Sequence, residues 1–232
     1  MDIIIEGISK AFSLLFTFDK EVFAITWLSL KVSGIATLIS LFIGISVATI
    51  VSLTRFPGRK IVVSLINMGM GLPPVVVGLF VMILFWRNGP AGFMEILYTP
   101  MAMVIAQAII ATPIVTGISL AAIQSLPKDL HLQILALGAT RFQMIWILLK
   151  EARLPLLAAV MAGFGGVISE VGASIMVGGN IKGCSRVLTT ATVMETSRGN
   201  FDMAIALSII LLLLVFMINF ILTCIQQHER PR

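Results

Sequence analysis

Histidine occurs only twice in the 232 residues, at His131 and His228, and neither belongs to a His-Glu-x-x-His pair of zinc ligands. No Gly-x-Ser-x-Gly turn presents a nucleophile, and no Gly-x-x-x-x-Gly-Lys-Ser/Thr loop cradles a nucleotide phosphate. The nearest stretch, Gly178-Gly179-Asn180-Ile181-Lys182-Gly183, lacks both the spacing and the following Lys-Ser/Thr. Zinc hydrolysis, acyl transfer and ATP hydrolysis by this chain are thereby set aside. Cysteine is as scarce: Cys184 and Cys224 fall on opposite faces of the bilayer in the topology derived below, cannot pair within one chain, and read as small space-filling residues. Charge is sparse too, at 12% of residues against 58% hydrophobic, with a mean hydropathy of +1.06. That is more apolar surface than a soluble core can hide, so the chain reads as an integral membrane protein.

Five segments are long enough to cross the roughly 30 Å of a bilayer core: Val22–Leu53, Ile61–Trp86, Pro100–Ile123, Leu154–Val177 and Met203–Ile225. Each far exceeds the length of a barrel strand and lacks its alternation, so the expected fold is an all-α polytopic bundle of about five transmembrane helices. Residues 1–21 form an extracytoplasmic segment, compatible with an interfacial amphipathic helix, and 226–232 a cytosolic tail. The first span serves as the insertion signal, since no removable signal peptide is evident. With the N-terminus outside, the inner segments carry nine cations (Arg55, Arg59, Lys60, Lys128, Arg141, Lys150, Arg153, Arg230 and Arg232) against six outside (Lys10, Lys20, Arg87, Lys182, Arg186 and Arg198). The +5 formal charge then reflects topology and gives no nucleic-acid footprint.

Breakers interrupt the spans. Gly71-Leu72-Pro73-Pro74 sits near the middle of the second, where missing donors and ring clashes force a kink or break, and Pro113 is expected to act similarly in the third. Freed backbone groups survive at that depth only when buried in protein or facing a water-filled path. A path lined by these two spans and a kink that merely fits its neighbours are both open. In the fourth span Ala158, Ala162, Gly166 and Glu170 recur every four residues, placing small side chains and one acid on one helix face. Glu170 reads as a packing or loop-orienting carboxylate or a path residue, and Lys31, the other ionisable group within a span, as a snorkelling lysine or a cation beside an anion path. The polar outer segment from Gly178 to Asp202 is the outer candidate for touching a partner or substrate. No internal repeat is found that would support an inverted-repeat carrier.

The stretch from Gln124 to Pro155 departs most from its surroundings. Pro127 and Asp129 suit the start of a helix, Gly138 ends or bends it, and a second helix leads back to the membrane. Such an elbow would project from the cytosolic face, with small residues permitting close approach by a soluble partner.

This stretch resembles the cytoplasmic coupling loop of binding-protein-dependent ABC importer permeases. Leu137-Gly138-Ala139-Thr140-Arg141 carries the glycine part of the family pattern. Leu132, Gln133 and Ile134 stand where the family has Glu-Ala-Ala, and Leu154-Pro155 comes about four residues later than usual. Leu72-Pro73-Pro74-Val75-Val76-Val77-Gly78 with Arg87-Asn88-Gly89-Pro90, and Ser169-Glu170-Val171-Gly172-Ala173 with Gly178-Gly179-Asn180-Ile181, are similar to the oxyanion permeases for molybdate, sulfate and tungstate. Glu151-Ala152-Arg153, Gly163-Phe164-Gly165 and Thr189-Thr190-Ala191 are most similar to the tungstate branch, and the likeness covers roughly 22–225.

The resemblance implies a type I ABC importer permease fold in the cytoplasmic membrane of a bacterium or archaeon, with a permease domain at 22–225 and its coupling loop at 124–153. It further implies a homodimer that receives an oxyanion, tungstate foremost with molybdate or sulfate as the alternative, from an extracytoplasmic binding protein. ATP and Mg belong to a cytosolic ABC ATPase dimer; this chain carries no cofactor and is not itself an enzyme. Leu137, Gly138, Ala139, Thr140 and Arg141 are the expected coupling residues, and Lys31, Pro73, Pro74, Glu170, Gly179 and Asn180 the expected path or gate residues. A secondary carrier or channel is the remote alternative: it would follow an ion gradient and need no ATPase.

Overall fold

The computed structural model describes residues 2–17 and 19–228. Arg230 and Arg232, counted above among the inner cations, lie outside the described residues. Helices α1 (Asp2–Phe16), α2 (Lys20–Leu53), α3 (Arg59–Met70), α4 (Pro74–Phe85), α5 (Pro100–Gln124), α6 (Lys128–Ala136), α7 (Arg141–Glu151), α8 (Arg153–Ile168), α9 (Gly172–Gly178), α10 (Leu188–Ser197) and α11 (Phe201–His228) follow in chain order, with one 3-10 turn at Gly92–Met94. Three helices, α2, α5 and α11, are long and apolar enough to cross a membrane singly, and the count reaches five when α3/α4 and α8/α9 are each taken as one bent span.

The ends follow from local chemistry. The Asp19 carboxylate caps α2 by accepting from the amides of Glu21 (3.0 Å) and Val22 (2.9 Å). Pro100 opens α5 at a position where a missing amide costs nothing. Pro73 and Pro74 stop α3 and restart the chain as α4, at 99° to it. Pro113 does not do the same: α5 runs unbroken through it. One proline removes one amide, and α3 closes over the spot, where a Cβ on Gly69 would lie 2.7 Å from the Pro113 ring. At the earlier break, a glycine and two prolines act together.

A second break falls where the even spacing of small residues predicted a continuous helix. α8 ends at Ile168, the chain bends by 58°, and Glu170 lies in the bend, so it does not share a helix face with Ala158, Ala162 and Gly166. Nor is that stripe the buried one: Ala159, Gly163, Phe164, Val167 and Ile168 are buried, while Ala158, Ala162 and Gly166 are half-buried. The outer segment after Gly178 also contains an unpredicted helix, α10, with Leu188 and Thr190 fully buried.

α5 is the centre of the bundle and touches α2, α3, α4, α8 and α9. Two apolar clusters divide its length. One joins Ala48, Val51, Ile66, Leu120, Ile123 and Ala152; the other joins Val32, Val77, Val81, Phe85, Met103 and Val177. Between helices the buried polar groups find each other: Ser33 Oγ donates to Gln107 Oε1 (3.4 Å), whose amide donates to Ser174 Oγ (3.1 Å), threading α2, α5 and α9. α1 packs along α11 through Ala11, the Lys10–Asp202 ion pair and the close approach of Gly7 to Ile205. Its remaining face exposes Ile3, Ile4, Ile5 and Phe12, as an amphipathic helix against lipid would.

Candidate functional site

At the end of the bundle where α2 finishes, α6 and α7 form the expected elbow. Gly138 has φ +79°, a backbone that a side chain would strain, and its amide returns to the Leu135 carbonyl to close α6. Two residues on, Thr140 starts α7 with a reciprocal cap: its amide donates to Gln143 Oε1 (2.8 Å), and its hydroxyl accepts from the Gln143 amide (3.3 Å). Ile134, Met144 and Leu148 turn inward and pack with Leu53, Leu126 and Leu130, so the elbow has a small core anchored to α2.

The outer side of the elbow is apolar and open. Leu137 is 88% exposed, Phe142 79% and Trp146 66%, around a depression of about 730 Å³ that Gly138, Ala139, Gln143 and Ile147 also line. The five residues expected from the sequence mark the apex alone. Phe142 and Trp146, one turn apart on α7, make up most of the patch, and their i, i+4 spacing was the signal available for finding them. An aromatic patch at the tip of a rigid bracket fits a protein partner.

The two helix breaks meet. The first turn of α4 abuts the start of α9: a Cβ on Gly172 would lie 2.7 Å from Val75 Cγ2 and 3.5 Å from Glu170 Oε1, and one on Gly78 2.7 Å from Ala173 Cα. The structure thus brings Pro73 and Pro74 into the neighbourhood of Glu170. The Glu170 carboxylate accepts from the Ala173 amide (2.9 Å), and its carbonyl accepts from Thr189 Oγ1 (3.1 Å). This acid caps α9 and ties the bend to α10, and it forms no ion pair with Lys31.

Gly179 and Asn180 lie at the other end of α9. Gly179 (φ +69°) lets the chain turn against the Tyr98 ring, to which a Cβ would come within 2.8 Å. Asn180 Oδ1 accepts from Thr190 Oγ1 (2.9 Å), and its carbonyl faces the Arg186 guanidinium (3.4 Å). Lys31 stands apart from this group. It is exposed on α2, in a cleft shared with Lys182 and Arg186. No three His, Cys, Asp or Glu side chains among the described residues are placed to hold a metal.

Long apolar helices, a central pair of broken spans and a projecting elbow define a polytopic α-helical membrane protein. The architecture matches that of the inward-facing MetNI methionine ABC transporter with a TM-score of 0.74 at 21% identity, over 94% of this chain and 99% of that one. A family model described as "Binding-protein-dependent transport system inner membrane component" matches residues 40–232, and the chain belongs to that family. It is 38% identical over 228 residues to the tungstate uptake system permease protein TupB of Peptoclostridium acidaminophilum, covering 98% of this chain and all of the relative (100%). It is 41% identical over 201 residues to a probable anion ABC transporter permease protein of Haloferax volcanii, covering 84% and 87%. The molybdenum transport system permease protein ModB of Escherichia coli is more distant, 30% identical over 205 residues covering 81% and 89%.

Proposed function

We propose that this chain forms the translocation path of an ATP-driven tungstate importer, as one of two identical permease subunits. A cytosolic ATPase dimer supplies ATP hydrolysis with its Mg, and an extracytoplasmic protein delivers the oxyanion. The N-terminus is outside, which puts the elbow in the cytosol and the Gly179–Arg186 loop on the intake side.

The observation that carries the role is the open apolar patch on the elbow, held by a capped helix pair whose inner face is bolted to α2. In this reading Leu137, Gly138, Ala139, Thr140 and Arg141 form its apex, and the ATPase fits over Phe142 and Trp146. Closure of the ATPase pair moves the elbow, and the rigid α6–α7 unit passes that movement to the spans. The meeting of the breaks at Pro73, Pro74 and Glu170 is the gate, because it is where irregular backbone lies between the two apolar clusters. Gly179, Asn180 and Lys31 belong to the intake side.

Tungstate is favoured by the end-to-end correspondence with a tungstate permease; molybdate or sulfate is the second reading, carried by the more distant molybdenum relative and by a sulfate transport system permease protein, CysW of Escherichia coli, 28% identical over 172 residues. The test is reconstitution with the cognate ATPase and binding protein in proteoliposomes. Uptake of tungstate requires ATP and survives collapse of ion gradients, and competition by molybdate and sulfate ranks the substrates. Gradient-driven uptake without the ATPase would make the protein a secondary carrier.

A further inference from the structure

At the end of the bundle opposite the elbow, the first three turns of α2 and the loop after α9 enclose a cleft of about 470 Å³. Lys20, Ala24, Trp27, Leu28 and Lys31 recur along one face of α2, and Lys182 and Arg186 close the other side. We propose that this cleft is a binding site for a tetrahedral oxyanion, and that Glu21 occupies it as a resident competitor that the oxyanion displaces.

The first ground is charge. Four cations face one acid, Glu21, whose carboxylate bridges Lys182 Nζ (2.6 Å) and Arg186 Nη1 (3.6 Å). Lys20 and Lys31 have no ion-pair partner among the described residues. The acids beyond Arg186 are committed elsewhere: Asp19 accepts from the amides of Glu21 and Val22, and Glu195 from Arg198 and Asn200. The cleft therefore keeps a net positive charge over an apolar floor of Ala24, Trp27 and Leu28, which strengthens its pull on an anion.

The second ground is an unfilled donor set. The Arg186 side chain is only 12% exposed, its Nε is buried with no hydrogen-bond partner, and its terminal nitrogens meet Glu21 and the Asn180 carbonyl only at 3.6 and 3.4 Å. A buried guanidinium ordinarily has its donors well satisfied. A carboxylate offers two oxygens and one charge, whereas a tetrahedral dianion offers four oxygens and two charges and matches the donors better. A free oxyanion supplies that chemistry in full; the phosphodiester of an anionic lipid, with one charge and two unesterified oxygens, supplies it in part, its acyl chain lying along Trp27 and Leu28. Only the placing of this cleft on the intake side rests on the function proposed above.

The test uses the full chain with its ATPase in nanodiscs, without nucleotide, so that it is independent of transport. In zwitterionic phosphatidylcholine discs at fixed ionic strength, sodium tungstate and sodium sulfate are titrated by equilibrium dialysis. In discs containing phosphatidylglycerol, retained lipid is counted by native mass spectrometry. Binding in either arm supports the site and names its source. K31Q, at an exposed position without an ion-pair partner, weakens binding in that arm about fivefold to tenfold, and K31R restores it. E21Q tightens it severalfold, an outcome that a purely structural ion pair does not give. Absence of binding in both arms, binding indifferent to K31Q, or an E21Q protein that binds no more tightly would overturn the proposal. None of these results would touch the elbow or the permease assignment.

Discussion

The two ends of this molecule are held together by different means. At the elbow, α6 and α7 rest on a small apolar cluster and turn an aromatic surface outward, and a reciprocal cap between Thr140 and Gln143 starts α7. At the opposite end, loops are latched by specific polar contacts: Asn180 to Thr190, Ser185 to Gly178, Tyr98 to Val177, and Glu21 to Lys182. An apolar bracket tolerates being gripped and moved as a unit, because sliding apolar contacts carry no directional bonds to break. A latched loop holds one shape until something with better acceptors arrives.

Removing the grip gives the largest effect. Phe142→Ala with Trp146→Ala should lower affinity for the ATPase by several hundredfold to about a thousandfold, since two aromatic anchors at roughly 2 kcal/mol each are lost. Both are exposed, so membrane abundance and melting temperature should hold; pull-down of the ATPase beside a melting curve reads both. Equal loss of both would make the patch part of the fold.

Next in size is the crossing of the broken helices. Gly78→Leu drives a side chain into the Ala173 backbone, where even a Cβ comes to 2.7 Å, and should destabilise the protein by about 1–3 kcal/mol, read as a fall in detergent melting temperature. Gly138→Val meets no neighbour within 4 Å but must hold φ +79°, at a cost of about 1–2 kcal/mol. It should uncouple ATP hydrolysis from uptake before it harms folding, and normal uptake would remove Gly138 from the coupling role. The smallest change discriminates most finely. Glu170→Ala should cost about 1 kcal/mol through loss of the α9 cap, while Glu170→Gln, which keeps an acceptor oxygen, should stay near wild type in stability. A fall in uptake by Glu170→Gln without a fall in stability would make its charge part of the path.

The features legible in the sequence were those written in residues with one conformational meaning. The span lengths, the break at Pro73-Pro74 and the turn at Gly138 followed from hydrocarbon thickness, missing amides and backbone sterics. The bend at Ser169–Val171 was hidden because no proline marks it and the apolar sequence resumes directly after Ser169-Glu170, and Ala158, Ala162 and Gly166 mimic a packing stripe that is in fact only half-buried. Pro113 misled in the opposite direction, since a lone proline breaks a helix only where no neighbour covers the gap. α10 was masked by threonines that read as loop; in the fold Thr189 is buried against the Glu170 carbonyl and Thr190 against Asn180, while Leu188 and Ala191 pack on α11. Phe142 and Trp146 were not singled out in the sequence, and only their placement on a projecting elbow makes them a surface.

With 34 residues, α2 is about 51 Å long by helical rise, which exceeds the hydrocarbon of a bilayer by about 20 Å. One end packs through Leu53 against the elbow, and the other carries Glu21. On the proposed roles of its two ends, a single rod joins the place where force arrives to the place where the guest is received, and a tilt of about 5° about one end sweeps the other through about 4 Å. That is more than enough to part a carboxylate from its cations.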